Sequence, residues 1–246
     1  MSRSLSRSSQ GAVAATGMGR GHWLALGMVA CSLVLLVSLV ASSDAAKVGR
    51  TTVILGQTAT EPDPSCPDLP CQAIGSVTGF QVNNGQTNLP FLVHSDGTIK
   101  AWTLTLAQPT NSQRTFFNGF FGTPPQARLA ILRRVPGTNP PRYALQRQGS
   151  VKVLSPYLGQ TVKFSANLKV EKGDIVGLTV PTWAPAFSQD LAVNNVWRAS
   201  REPGTCKNAT DIRQGEPQEK VGRRATYGCV YTTARLLYTA TLVEGR

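Results

Sequence analysis

Histidine, acidic residues and helical periodicity are scarce in this chain, and each shortage removes a class of function. The 246 residues include two histidines and 13 acidic residues against 25 lysines and arginines. His22 lies in the N-terminal segment that export would remove, which leaves His94 as the one imidazole of the mature chain. Zinc sites built on several histidines and the common hydrolytic triads therefore have little to draw on. His94 does stand beside Ser95 and Asp96 in "LVHSDGT". Adjacent residues of an extended strand point to opposite faces, however, so these three do not form a nucleophile, base and orienter in line. The tetrapeptide His-Ser-Asp-Gly reads as a turn. No Gly-x-Ser-x-Gly elbow and no Cys-x-x-Cys pair is present.

Charge is missing altogether from "WLALGMVACSLVLLVSLV", Trp23 to Val40. Arg3, Arg7 and Arg20 precede it without an acid, and "ASSDAAK" follows. This is the order of an export signal, with cleavage expected after Ala45 or Ser43. The apolar run of 18 residues is also just long enough to span a bilayer, so an uncleaved membrane anchor through residues 23–40 is the alternative. Residues 1–45 are thus a signal peptide or anchor helix, and residues 46–246 a single domain with a sizeable core, secreted or held outside the membrane.

Losing residues 1–45 removes three arginines and Asp44, which leaves a net charge of +10. A solvated surface of spread lysines and arginines accounts for this charge, since no basic block is longer than Arg133-Arg134 or Arg223-Arg224; the functional reading is attraction to polyanions such as anionic wall polymers or acidic glycans. Nucleic acid is not expected, because the chain has no aromatic-basic binding signature. Cys66, Cys71, Cys206 and Cys229 are an even set in an oxidising compartment. The local pairings Cys66–Cys71 and Cys206–Cys229 are favoured, the second closing a 24-residue loop worth about 3 kcal/mol on the chain-entropy model. No cofactor is expected. Calcium at Glu61, Asp63 and Asp68 is the competing reading, disfavoured because Pro62, Pro64 and Pro67 interrupt the carboxylates.

Period two dominates the rest. In "TVKFSANLKV", Val162, Phe164, Ala166, Leu168 and Val170 alternate with Lys163, Ser165, Asn167 and Lys169. "TIKAWTLTLA" places Trp102, Leu104 and Leu106 inward and Ala101, Thr103 and Thr105 outward, and "ARLAILRRV", "SVKVL", "DIVGLTV" and "ARLLYTATLV" read alike. Turn chemistries such as "NNGQTN", "HSDGT" and "SPYLGQ" separate them. No mature window predicts an amphipathic helix. The fold class is all-β, an antiparallel sandwich of jelly-roll or immunoglobulin-like order.

Two stretches raise functional questions. "EKGD" places Gly173 at a corner, with Lys172 and Asp174 expected in water; a catalytic Asp174 has no second acid placed across a substrate. "RTFFNGFFGTPP" groups Phe116, Phe117, Phe120 and Phe121, and Asn118-Gly119 predicts a two-residue hairpin turn with Phe117 opposite Phe120. The candidate ligand-binding residues are Trp183, Trp197, Phe117, Phe120 and Tyr143, with Tyr157 behind them, since an aromatic face lies well against a pyranose.

The run from "SDGTIKAWTLTL" through "ARLAILRRV" to "QTVKFSANLKVEKGDIVGLTV" resembles a pattern of uncharacterised exported actinobacterial β-sandwich proteins. Its Gly-Asp corner is similar to that of C1q-like and tumour-necrosis-factor-like jelly rolls. The resemblance spans residues 93–187 and implies a sandwich without an assigned activity or site residues. The expectation is a non-catalytic recognition module for a cell-surface glycan or anionic polymer. The alternatives are a structural or protein-interaction domain using the Phe116–Phe121 loop, and a glycoside hydrolase.

Overall fold

Alternation along the strands sorts the side chains as the pleat requires. In the computed structural model, which describes residues 50–245, the stretch Thr161–Val170 is one strand whose Phe164 and Val170 are buried while Lys163, Ser165, Asn167 and Lys169 are exposed. The leader or anchor expected over residues 1–45 lies outside the described residues. The strands are β1 (Thr52–Leu55), β2 (Ile74–Asn84), β3 (Gly97–Thr105), β4 (Gln126–Val135), β5 (Arg142–Gln148), β6 (Lys152–Val153), β7 (Thr161–Val170), β8 (Asp174–Ala184), β9 (Phe187–Ser188), β10 (Asn195–Ala199), β11 (Arg224–Thr226), β12 (Cys229–Thr232), β13 (Arg235–Leu236) and β14 (Tyr238–Glu244). Two helices, α1 (Asn111–Phe121) and α2 (Ala209–Arg213), accompany them. No helix among the described residues is long and apolar enough to cross a membrane.

The chain is mostly β, and its antiparallel sheets curl into a half-barrel. A small sheet runs β1-β14-β3-β7, and a large one runs β11-β5-β4-β8-β2-β10-β12, with β6 beside β4. The centre of the large sheet is apolar on both faces, as in Ala127, Leu129, Ala130, Ile131 and Leu132 of β4. One contiguous core draws on both sheets, from Trp102 and Phe164 to Phe80, Leu129 and Val176. Tyr238 of β14 pins them together, because its ring stacks on Phe91 at 4.1 Å and its hydroxyl donates to the Val176 carbonyl of β8 at 2.9 Å.

The strand expected around Trp102 departs from simple alternation. Both Ala101 and Trp102 are buried, since the β3–β7 register shifts between Ile99 and Ala101 and turns Lys100 outward. The segment Cys206–Cys229 folds back over the large sheet through a buried polar chain. Thr78 and Thr179 share a hydroxyl bond of 2.9 Å, the Gln218 amide N–H donates to Thr78 Oγ1, and Tyr227 Oη donates to Gln218 Oε1 at 2.8 Å. Both expected disulfides, Cys66–Cys71 and Cys206–Cys229, are formed, which fits a non-cytoplasmic environment.

Helix α1 replaces the hairpin expected at Asn118-Gly119. Thr110 caps it, accepting from the Gln113 N–H at 3.3 Å while the Gln113 carboxamide oxygen accepts from the Thr110 N–H at 2.8 Å. That reciprocal Thr-x-x-Gln box starts a helix before the four phenylalanines, and Gly122, at φ 93°, ends it.

Burial pushes the phenols of Tyr227 and Tyr238 well above their ordinary value of 10.0. Their neutral forms belong to the fold, so this stability is complete below pH 10.0 and is lost as pH rises from there through the folded values. A pH titration should show two phenolate absorbance changes that coincide with loss of the near-ultraviolet circular dichroism.

Candidate functional site

The chain passes from the small sheet into the large one at Glu171-Lys172-Gly173, between β7 and β8. Gly173 takes φ 90°, a conformation costly for a residue with a Cβ, although no heavy atom lies within 4 Å of where that Cβ would be. Lys172 is exposed as expected. Asp174 is not: its side chain is 0% exposed. The counter-charge comes from Arg133, its register partner on β4, whose Nε donates to Asp174 Oδ1 at 2.8 Å. Arg133 Nη2 lies 2.7 Å from the same oxygen, at ion-pair distance but without hydrogen-bond geometry. Asp174 Oδ2 accepts from the Glu171 N–H at 2.9 Å. Sequence reasoning left Asp174 in water because nothing local announces an arginine 41 residues earlier.

A second sheet-to-sheet connection clasps this corner. Between β2 and β3, the Val93 N–H donates to the Asp174 carbonyl and the Gly173 N–H donates to the Val93 carbonyl, at 2.8 and 2.9 Å. Asp96 Oδ1 accepts from the Lys172 N–H at 2.7 Å. The neighbours of His94 are therefore part of a structural clamp, and His94 itself is exposed.

Beside the clasp lies an open cleft of about 540 Å³, bounded by the start of β3 and the ends of β7 and β14. Arg50, Lys100, Arg147 and Lys169 line it, with Asp96, Glu171 and Glu244. The acids are partly committed. Glu171 meets Arg133 at 2.9 Å and Arg147 at 3.6 Å, and the Arg133 contact, foremost, lowers its pKa. The same two carboxylates, Asp174 before Glu171, raise that of Arg133. Arg50, Lys100 and Lys169 have no carboxylate partner among the described residues, Lys100 donating instead to Asn167 Oδ1 at 2.8 Å. A second cleft, about 430 Å³, sets Arg142, Arg201 and Arg224 against Glu202, Asp211 and Glu216, with Arg201 buried.

The aromatic residues singled out from the sequence are mostly in the interior. Trp183 is buried against Phe117, its Nε1 donating to Asn118 Oδ1 at 2.9 Å. Trp197 is buried, stacked on Tyr231 at 4.5 Å and close over Gly79. Tyr143 is buried between Phe80 and Tyr227. These three, with Phe117, give no open face for a sugar, because each fills a void between strands or under α1. Phe120 is half-buried and Tyr157 leans edge-on against Phe164. Phe116, which the sequence reading did not rank as a site, is 61% exposed and stacks on Phe120. Glu61 does not meet Asp63 or Asp68 in a metal cluster: Oε1 accepts from Thr58 and Oε2 pairs with Arg235 at 3.4 Å. No group of three or more histidines, cysteines or acids able to hold a metal occurs among the described residues.

The cleft cations were missed for a physical reason. Lys169 looks like an ordinary solvent-facing strand residue, Lys100 falls on the inward side of simple alternation, and the β3–β7 register alone brings the two to the same rim. No family model, curated protein or solved structure matches this chain.

Arg133→Ala strands Asp174 and should cost about 3 kcal/mol or more, while Glu171→Ala, at the surface end of the pair, should leave stability nearly unchanged. Gly173→Ala should cost about 1 kcal/mol through backbone strain alone. Urea midpoints of the three variants check this order.

Proposed function

We propose that the described domain is a non-catalytic, exported recognition module that holds an anionic polymer or acidic glycan of the cell surface along the basic cleft. The observation that carries this reading is the set of cations without carboxylate partners, Arg50, Lys100 and Lys169, around one open groove. Lys163 extends the row on the same face of β7, roughly 20 Å from Lys169 at the strand rise. A line of cations suits a repeating chain of negative charge better than a compact ligand, and attraction of this kind is screened by salt. The finer architecture fits the same role. Two curled antiparallel sheets around one core are read as a sandwich of jelly-roll or immunoglobulin-like order, of the kind in the exported actinobacterial proteins that residues 93–187 resemble.

The hydrolase alternative has less support. A general acid for glycoside cleavage needs a carboxyl whose pKa is raised, and Arg133 lowers that of Glu171, an acid of the cleft. The protein-interaction alternative rests on the exposed Phe116 and its partner Phe120. Phe116→Ser tests that reading cleanly, because Phe117 is core and its loss would disturb the fold. A monomer in light scattering before and after the change argues against self-association.

Retention on an isolated anionic wall polymer at low ionic strength should fall about tenfold or more when Lys100 and Lys169 are both changed to Glu, and should fall steeply with added salt in the parent chain. Equal retention of parent and double variant would overturn the assignment.

A further inference from the structure

The basic cleft draws cations from both sheets, and the large sheet contributes differently from the small one. Lys100 and Lys169 stand on β3 and β7, and Arg50 precedes β1, whereas Arg147 comes from β5 of the large sheet, opposite Ile131 of β4. Of these four, Arg147 alone has a carboxylate within ion-pair distance among the described residues. Its Nη2 lies 3.6 Å from Glu171 Oε1, too long for a hydrogen bond. Both side chains are open to water, Arg147 at 39% and Glu171 at 51% exposure, and both line the cleft, so a molecule there reaches them.

Arg133 is held otherwise. Its Nε donates to Asp174 Oδ1 at 2.8 Å, and its Nη1 meets Glu171 Oε2 at 2.9 Å. It cannot turn toward a ligand without stranding Asp174, whose side chain has no exposure. One oxygen of Glu171 is therefore fixed on Arg133, and the other faces Arg147. An anion entering the cleft thus meets three cations without a carboxylate partner and a fourth that already has one.

Resting on the reading of this cleft as a polyanion site, we propose that Glu171 is an internal substitute for the ligand. In the free chain its carboxylate occupies Arg147. In the complex an oxyanion of the polymer, a phosphodiester or a carboxylate, takes that place, and Arg147 turns from Glu171 to the incoming group. Arg147 is then a fourth ligand-binding residue and extends the contact from the small sheet to the large one, while Glu171 sets the affinity because the polymer must displace it. The exchange breaks only a solvent-exposed contact of 3.6 Å, and such pairs are worth little in water. Glu171 keeps Arg133 as its partner, so no charge is left alone. The planar fork of an arginine matches either oxyanion in a way that lysine does not.

The test is titration of the full chain at low ionic strength with poly(glycerol phosphate) and with polygalacturonate, the first offering phosphodiesters and the second carboxylates. The tighter of the two identifies the group. Arg147→Gln should weaken that binding about threefold and Glu171→Gln should tighten it about threefold, the scale of an exposed ion pair. Removing any acid from a basic cleft strengthens its attraction for a polyanion, so the double variant decides. In the Arg147→Gln background, Glu171→Gln should add no more than Glu244→Gln adds in the parent; Glu244 lines the cleft with no cation at ion-pair distance among the described residues. In the parent chain the Arg147 Nε–H resonance should move on binding while that of Arg133 stays, a readout that needs no substitution. Equal gains from Glu171→Gln with and without Arg147, undiminished binding by Arg147→Gln, or an Arg147 resonance that the bound polymer leaves in place overturns the proposal. Any of these beside lost binding by the Lys100→Glu, Lys169→Glu chain sinks this inference alone; no binding of either polymer by any of the chains sinks it together with the reading it rests on.

Discussion

The contact of the buried Asp174 carboxylate with the half-buried Arg133 holds the corner through which the chain passes from one sheet to the other. A carboxylate taken fully out of water is unstable unless a counter-charge and further hydrogen bonds accompany it. Here Arg133 brings the charge across one strand boundary and the Glu171 amide brings the remaining donor. The chain can therefore leave the small sheet, turn at Gly173 and enter the middle of the large one within three residues. The Val93–Asp96 loop, which makes the crossing from β2 to β3, grips the same turn through backbone bonds. Two crossings that would each be a loose loop alone fix one another.

That arrangement also shapes the electrostatics nearby. Arg133 sits beneath the corner and holds Glu171, which it shares with Arg147, so that acid of the cleft is left with no charge to offer Arg50, Lys100 and Lys169. Lys100 is thrown outward by the irregularity in β3, and Lys169 faces the same way by ordinary alternation. The positive character of the rim thus follows from a packing requirement at the corner and a register shift one strand away, not from any local cluster of basic residues.

Legibility from the sequence followed the range of the cause. The β7 strand was readable to the residue, because period two is written in ten consecutive positions. Both disulfides were readable from short spacings. Strand β2 was not, because "IGSVTGFQVNN" alternates poorly and is buried on both faces at the centre of the large sheet. Helix α1 was misread although its Thr110-x-x-Gln113 box was in plain view, since the Asn-Gly pair suggested a hairpin more strongly. The interior placement of Trp183, Trp197 and Tyr143 depends on which elements cover them, and residue type alone carries no such information.

One edge of the molecule has a further consequence. The small sheet ends at β7, which has no strand beyond it among the described residues, and an open strand edge is a template for adding another chain. Lys163 and Lys169 stand exposed along that edge. Docking a second copy there would bring like charges together and strip water from ammonium groups. The same lysines that give the surface its positive face thereby guard against fibrillar stacking.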